Sequence, residues 1–267
     1  MSAKTSLMQI WAMARKDFTV WESYRSQVLV ALLSVAFGLF SWAILGNYSN
    51  QSVPEYNTNF ISFLVVGVIT SGFVVPLSQG TRINPWTFET VLMAGMRKSV
   101  IVVGSLLWST IFAAITLIPQ VLIAIYLFRV DFVVNYLTLI LAVLISMTLV
   151  FSLAMMDMGI RIVTKQSDPI IWGVILISGI GSGMLYPIQE LDKYIPGIST
   201  FSWALPFTWI YHLIRVSVLE GGSLLDPSVA LSFAGAVIYC AAVIALSYYV
   251  MSWGLKTAKK DGTLGWY

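Results

Sequence analysis

The sequence predicts an all-α integral membrane protein. It has six transmembrane helices, both termini cytoplasmic, an amphipathic N-terminal interfacial helix and an outward re-entrant helical hairpin before the last span. Three observations predict this. The chain is 58% hydrophobic and 10% charged, with mean hydropathy +0.85, whereas a soluble domain carries about 25% charged residues. Six apolar runs are long enough, or nearly so, for the roughly 20 residues that cross a hydrocarbon core. The basic residues are also distributed to one side of those runs.

Residues 1–267 read as a single transmembrane domain. Residues 1–26 form the cytoplasmic interfacial helix, where Leu7, Ile10, Trp11, Ala14, Phe18 and Trp21 recur at helical spacing and Gln9, Lys16 and Thr19 fall opposite. Such a helix lies in the interface plane; its alternative role is a plain anchor. Charges run throughout residues 1–25 without a short apolar core, unlike a removable signal peptide. Spans one to five occupy residues 27–184, in runs at 28–46, 60–77, 100–128, 132–160 and 170–187. The sixth span is residues 229–255, from a run at 229–254, and 256–267 is a cytoplasmic tail. The third, fourth and sixth runs exceed the core thickness and must tilt, kink or project, with Pro119 placed to kink the third. Asp168-Pro169 and Asp226-Pro227 each read as an Asp cap followed by Pro at the first helical position.

Loop charges set the orientation. Twelve of the 15 basic residues fall on one side, leaving Arg129, Lys193 and Arg215 on the other. The positive-inside rule then places the termini in the cytoplasm and residues 185–222 outside, in a multi-pass protein of the cell membrane. The net charge of +3 is modest, and no nucleic-acid partner is implied.

Residues 185–228 form the extracytoplasmic re-entrant segment. Pro187, Pro196 and Pro206 punctuate it, and its apolar part, 205–219, is only about 15 residues long, too short to span. Backbone that breaks and restarts near a membrane is tolerated where protein or a water-filled cavity covers it, which points to a transport pathway. Tyr186, Pro187, Pro206, Phe207, Leu213 and Arg215 are the expected outward gate. For Arg215, a functional role at membrane depth and snorkelling to the surface are both open.

On the cytoplasmic side, residues 78–99 carry a Pro-Trp break and then a short helix with Glu89 in its first turn. A helix of two turns is unstable alone and needs a partner surface, on another protein or on its own chain.

The segment Thr87-Phe88-Glu89-Thr90-Val91-Leu92 resembles the Gly-Thr-Leu-Glu-x-Leu stretch after the second span of ABC-2 type transporter permeases. Ser182-Gly183, Tyr186-Pro187, Leu205-Pro206-Phe207-Thr208, Leu213, Arg215, Leu219 and Gly221 resemble that family's second half. The order of elements matches across essentially the whole chain. Two departures stand out: Thr87 lacks the usual preceding Gly, and Ala94-Gly95 stands where Pro is common. The resemblance implies the permease subunit of an ATP-driven ABC exporter, similar to the daunorubicin-type multidrug permeases. It would move an amphipathic or hydrophobic substrate (drug, antibiotic or lipid-like) out of the cytoplasm or inner leaflet. The alternative is a polysaccharide or lipid-linked glycan export permease, with Trp42, Trp108, Trp172, Trp203 and Trp209 either lining its channel or forming interfacial belts. The implied partners are an ABC ATPase subunit in two copies, a second permease subunit and membrane lipids. Trp86, Phe88, Glu89, Leu92 and Met93 are the expected ATPase-coupling residues.

The chain contains no G-x-x-x-x-G-K-[ST] loop, so ATP hydrolysis is assigned to the partner and no enzyme activity, cofactor or metal to this chain. The single histidine, His212, cannot form a histidine metal cluster, and no Gly-x-Ser-x-Gly elbow appears. Asp157 and Arg161 have the spacing of a helical ion pair, structural or gating. Cys240 is a lone packing residue.

Overall fold

A computed structural model of the chain describes residues 3–23, 25–49, 52–80, 98–164, 179 and 181–260. Helices dominate: α1 (Ala3–Ser23), α2 (Arg25–Ser49), α3 (Phe60–Gly80), α4 (Lys98–Tyr126), α5 (Tyr136–Thr164), the short α6 (Ile188–Leu191) and α7 (Ile198–Ser202), α8 (Pro206–Val218) and α9 (Pro227–Lys260). Among the described residues, three stretches are long and apolar enough to cross a membrane: Leu107–Tyr126, Tyr136–Thr164 and Pro227–Ala258. Shorter apolar stretches, Ala36–Gly46 and Phe60–Val74, lie in α2 and α3. Phe37 is 68%, Leu137 64% and Ile238 72% exposed on the outer faces. Large contiguous apolar surface is costly in water and natural against lipid tails, so this is a helical membrane protein. The fifth apolar run falls largely on residues outside those described.

Helix boundaries follow from local chemistry. Asn135 starts α5: its Oδ1 accepts the Thr138 N–H at 3.3 Å, as an N-cap does. The run read as starting at residue 132 therefore begins as extended chain. Pro227 opens α9 as expected, and the helix continues to Lys260, so part of the expected tail is helical. Helix α4 continues through Pro119. The connection from α2 to α3 was unforeseen in an all-α reading: β1 (Ser52–Val53) and β2 (Thr58–Asn59) pair antiparallel around a 3₁₀ turn at Pro54–Tyr56. Asn57 takes a left-handed φ of 45° there, a conformation Asn adopts more readily than most residues. The turn drives Val53 and Tyr56 into the core.

The main core gathers side chains from α3, α5, α8 and α9 around Phe63, Leu149, Ile210 and Leu213. A second cluster joins α2, α3 and α4 through Leu39, Leu64, Val65 and Ala124. A third, built on Met13, Met158, Met251 and Leu255, ties α1 to the ends of α5 and α9. Helix α1 is two-sided: Met13 is buried together with Ala14 of the expected apolar stripe, while Leu7 and Trp11 of that stripe are exposed. Its inner face sits on α4, where a Cβ at Gly104 would lie 2.7 Å from Met13 Cβ.

Helices α5 and α9 cross with their backbones in contact. A Cβ on Gly254 would overlap the Gly159 carbonyl oxygen and lie 2.8 Å from the Gly159 carbonyl carbon. Ala258, one turn on, is 1% exposed. Small residues four apart are the usual device for close approach of membrane helices. Beside this crossing Arg161 Nε donates to Asp157 Oδ2 at 2.7 Å, an i,i+4 ion pair of the expected geometry.

Candidate functional site

The site is built on α8. Leu205 is extended (φ −86°, ψ 134°) and Pro206 occupies the first turn, where its missing N–H leaves no bond unmade. The helix is 13 residues long, about 20 Å at 1.5 Å per residue, too short to cross a bilayer. Yet almost every side chain from Pro206 to Ser217 is buried. Its neighbours define its direction. Gly222 packs on Val229, His212 reaches Ser232, Trp209 covers Gly235 and Ala204 O accepts the Tyr239 hydroxyl at 2.6 Å. As α8 advances, its partners on α9 recede toward Pro227, so the two helices run antiparallel. The start of α8 thus lies beside Tyr239, 12 residues or about 18 Å along α9.

The end of α8 is fixed by the α4–α5 connection. Val133 N–H donates to Val218 O and Asn135 N–H to Ser217 O, both at 3.0 Å. Thr138 Oγ1 donates to Gly222 O at 2.8 Å. Gly221, at φ 63°, turns the chain, and a Cβ there would sit 2.9 Å from Val133 O. Only glycine meets both demands.

Arg215 is the centre of the arrangement. It is 2% exposed, so it does not snorkel. Nη1 donates to Gly183 O at 2.6 Å, and Nη2 to Met184 O at 2.7 Å and Phe63 O at 3.4 Å. Its Cζ lies 3.6 Å from the Phe63 ring centroid, a cation–π contact in a dry setting. The fork of a guanidinium suits two neighbouring carbonyls in a way a point charge does not. One side chain thereby joins α8, α3 and the backbone that leads out of the fifth apolar run. The fit requires Gly67, where a Cβ would lie 2.5 Å from Arg215 Nη2 and overlap Met184 O. Among the described residues no carboxylate stands within ion-pair distance of Arg215, and its Nε has no hydrogen-bond partner.

The expected gate residues divide accordingly. Phe207 and Leu213 are buried in the main core, Pro206 opens the helix, and Arg215 lies nine residues on, about 13 Å further along the axis. Tyr186 and Pro187 are half-buried and lie two and three residues beyond Met184, whose carbonyl Arg215 holds. The expected coupling residues Trp86, Phe88, Glu89, Leu92 and Met93 lie outside the described residues. Tyr56, Phe63, Gly67 and Ser232 join the site unannounced by the sequence. Only Gly67 gave a signal, since a glycine inside a helical run costs about 1 kcal/mol against alanine and asks for a packing reason.

His212 makes long-range contacts rather than local ones. Its Nδ1 is 3.1 Å from Tyr56 Oη and its Nε2 is 3.1 Å from Ser232 Oγ. A serine beside a histidine invites a hydrolytic reading. The surroundings oppose it: Ser232 Oγ already donates to Ser228 O at 3.1 Å, a phenol rather than a carboxylate faces Nδ1, and the cation Arg215 is one turn away. Among the described residues no group of three or more His, Cys, Asp or Glu side chains could hold a metal ion. No protein-family model matches this chain, and no curated protein sequence matches it.

Proposed function

We propose that this chain is the permease subunit of an ATP-driven ABC exporter that moves an amphipathic or hydrophobic substrate outward. The observation that carries the reading is α8. It is a buried 13-residue helix, too short to span, that starts deep along α9 and returns to α9's own beginning. Helices broken at membrane depth are tolerated where protein or a pathway covers them. The likeness of residues 87–92 and 182–221 to ABC-2 permeases supplies the transport class and the separate ATPase.

The proposed topology is six spans with both termini in the cytoplasm. The grouping of connections supports it: residues 52–59, 127–135 and 183–222 meet around α8, while α1 and the methionine cluster sit at the other ends of α5 and α9. Reporter fusions at residues 46–59, 129–131 and 189–223 should therefore read as outside, and those at 79–98 and 164–168 as cytoplasmic. A cytoplasmic reading at 189–223 would overturn the assignment.

The tagged chain, isolated from its native membrane in mild detergent, should carry an ATP-hydrolysing subunit with it. Glu89 is proposed to make a partly buried charged contact with that subunit. Truncating one partner of such a pair costs about 2–5 kcal/mol, so Glu89→Ala should lose most of the retained ATPase while inserting normally. A parent protein that purifies alone, with no nucleotide hydrolysis, would end the exporter reading. For the glycan alternative, Trp203 and Trp209 pack edge to face at 4.9 Å with Trp209 on Gly235, Trp108 meets the Phe18 ring at 5.4 Å, and Trp42 is exposed on α2.

A further inference from the structure

Helix α1 lies where α9 changes character. Along α9 the exposed Tyr248, Tyr249 and Trp253 give way to exposed Lys256 and Lys260, the aromatic-to-basic succession that marks a membrane boundary. Met13 of α1 packs with Met251 and Leu255 in the middle of that succession. On α4 its contacts, Met13 at Gly104 and Phe18 at Trp108, fall at the near end of the membrane-crossing stretch Leu107–Tyr126. Two neighbouring helices thus put α1 at one level, beside the lipid headgroups.

Around its axis, at roughly 100° per residue, α1 shows three sectors. Met13 and Ala14 face the protein, and Leu7, Phe18 and Trp11 follow, all three exposed although apolar. Arg15 comes next, then Thr19 and Lys16, likewise exposed. Arg15 therefore stands on the border between the apolar and polar sectors, one turn from Trp11. Lys16 is neutralised by Asp17 at 3.0 Å, whereas Arg15 makes no ion pair among the described residues. Glu22, on the same side of α1, is seven residues further on, about 10 Å along the axis.

We propose that the exposed side of α1 binds anionic phospholipid, with Leu7, Phe18 and Trp11 in the acyl boundary and Arg15 on a headgroup phosphate. Three large apolar side chains in one sector are a poor match for water, and a cation at the edge of such a sector meets the headgroup layer. The planar fork of a guanidinium fits phosphate oxygens. A choline headgroup brings its own ammonium to the same arginine, while an anionic headgroup does not. Lys256 and Lys260 add to the positive field at this level. The inference uses the membrane character of the chain and not the permease reading.

The test reads which lipid stands beside Arg15. The full chain carrying Cys240→Ala and Thr19→Cys is labelled with bimane at residue 19, one turn from Arg15 and outside the apolar sector. It is placed in vesicles of phosphatidylcholine and phosphatidylglycerol in equal parts, with a trace of either lipid bearing a nitroxide quencher high on its acyl chain. The expected result is quenching about fivefold stronger per mole by the phosphatidylglycerol probe, the effect of one basic residue near an anionic surface. High salt should shrink that preference. Arg15→Gln should abolish most of it and Arg15→Lys should keep part, while Trp11→Ala should lower quenching by both probes alike. The same label at Ile238, exposed midway along α9, should be quenched equally by the two. Equal quenching at residue 19 would overturn the proposal, as would a preference that survives Arg15→Gln or one equally strong at Ile238. No quenching at residue 19 by either probe would mean that water or another protein covers this face, and the lipid site would fall.

Discussion

Gly254→Ala lowers the unfolding midpoint of the purified protein in mild detergent, and Gly254→Leu yields little folded protein. Helix propensity taken alone gives the opposite sign, because replacing a helical glycine by alanine gains about 1 kcal/mol. The α5–α9 crossing reverses it. A Cβ at 254 overlaps the Gly159 carbonyl oxygen, and this obstacle is backbone, which cannot rotate aside as a side chain does. The helices must separate, and the contacts of Met158, Met251 and Leu255 in the methionine cluster loosen with them. Overpacking of this kind costs about 1–3 kcal/mol for one methyl group and more for a larger side chain. Gly159→Ala should behave alike, since its Cβ would lie 2.7 Å from Met251 Cα. A midpoint that rises in Gly254→Ala would show that propensity wins and that the close crossing is not what holds α5 to α9.

Arg215→Ala is expected to destabilise the protein by about 2–5 kcal/mol, measured as the shift in unfolding free energy in the same detergent. Two effects oppose each other. Removing a buried guanidinium relieves its desolvation cost, while the carbonyls of Gly183 and Met184 lose donors at 2.6 and 2.7 Å in a place water does not reach. The second effect is the larger, because the bracket joins three segments and its loss frees α8 from the 183–184 backbone as well as from α3. Arg215→Met, which keeps the volume and drops the charge, should be almost as unstable as Arg215→Ala. Arg215→Lys should fall between parent and alanine, since an ammonium serves one of the two carbonyls well but not both. Proteolysis should begin in residues 189–205 in each variant. If Arg215→Met matched the parent in stability, the guanidinium would be neutral in net effect and α8 would be held by apolar packing alone.

How the protein's elements became legible varies with the range of the forces that make them. The apolar runs, the helix starts at Pro206 and Pro227, the Asp157–Arg161 pair and the break at 185–205 all depend on residues a few positions apart, and each was visible in the sequence. The hairpin at 52–59 was not. Its strands are two residues each, too short for any alternation to show, and buried Tyr56 finds its partners far along the chain, the Phe63 ring and His212, 156 residues away. Asn135 was hidden by an apolar run that continued past it, although an N-cap asparagine three residues before Thr138 is a local signal. In α1 the expected stripe divides: Leu7 and Trp11 are exposed, whereas Ala14 is buried and Phe18 meets the Trp108 ring of α4, beside Met13, which lay outside the stripe.

That the chain is helical and belongs in a membrane is legible from composition and run length, because apolar runs of about 20 residues suit lipid and a helix satisfies their backbone groups within the run itself. The sequence also shows that the segment from Pro206 onward cannot span, since a run of that length falls short of the hydrocarbon core. What Arg215 does follows from the packing of distant segments. In sequence an arginine at the edge of a short apolar run can reach the surface or stay buried, and the difference of several kcal/mol lies in whether acceptors wait for it. Those acceptors are backbone carbonyls at Phe63, Gly183 and Met184, groups that every residue possesses and no sequence displays. Their convergence requires Gly67 to leave room, the chain after α8 to turn at Gly221, and three segments far apart in the chain to arrive together.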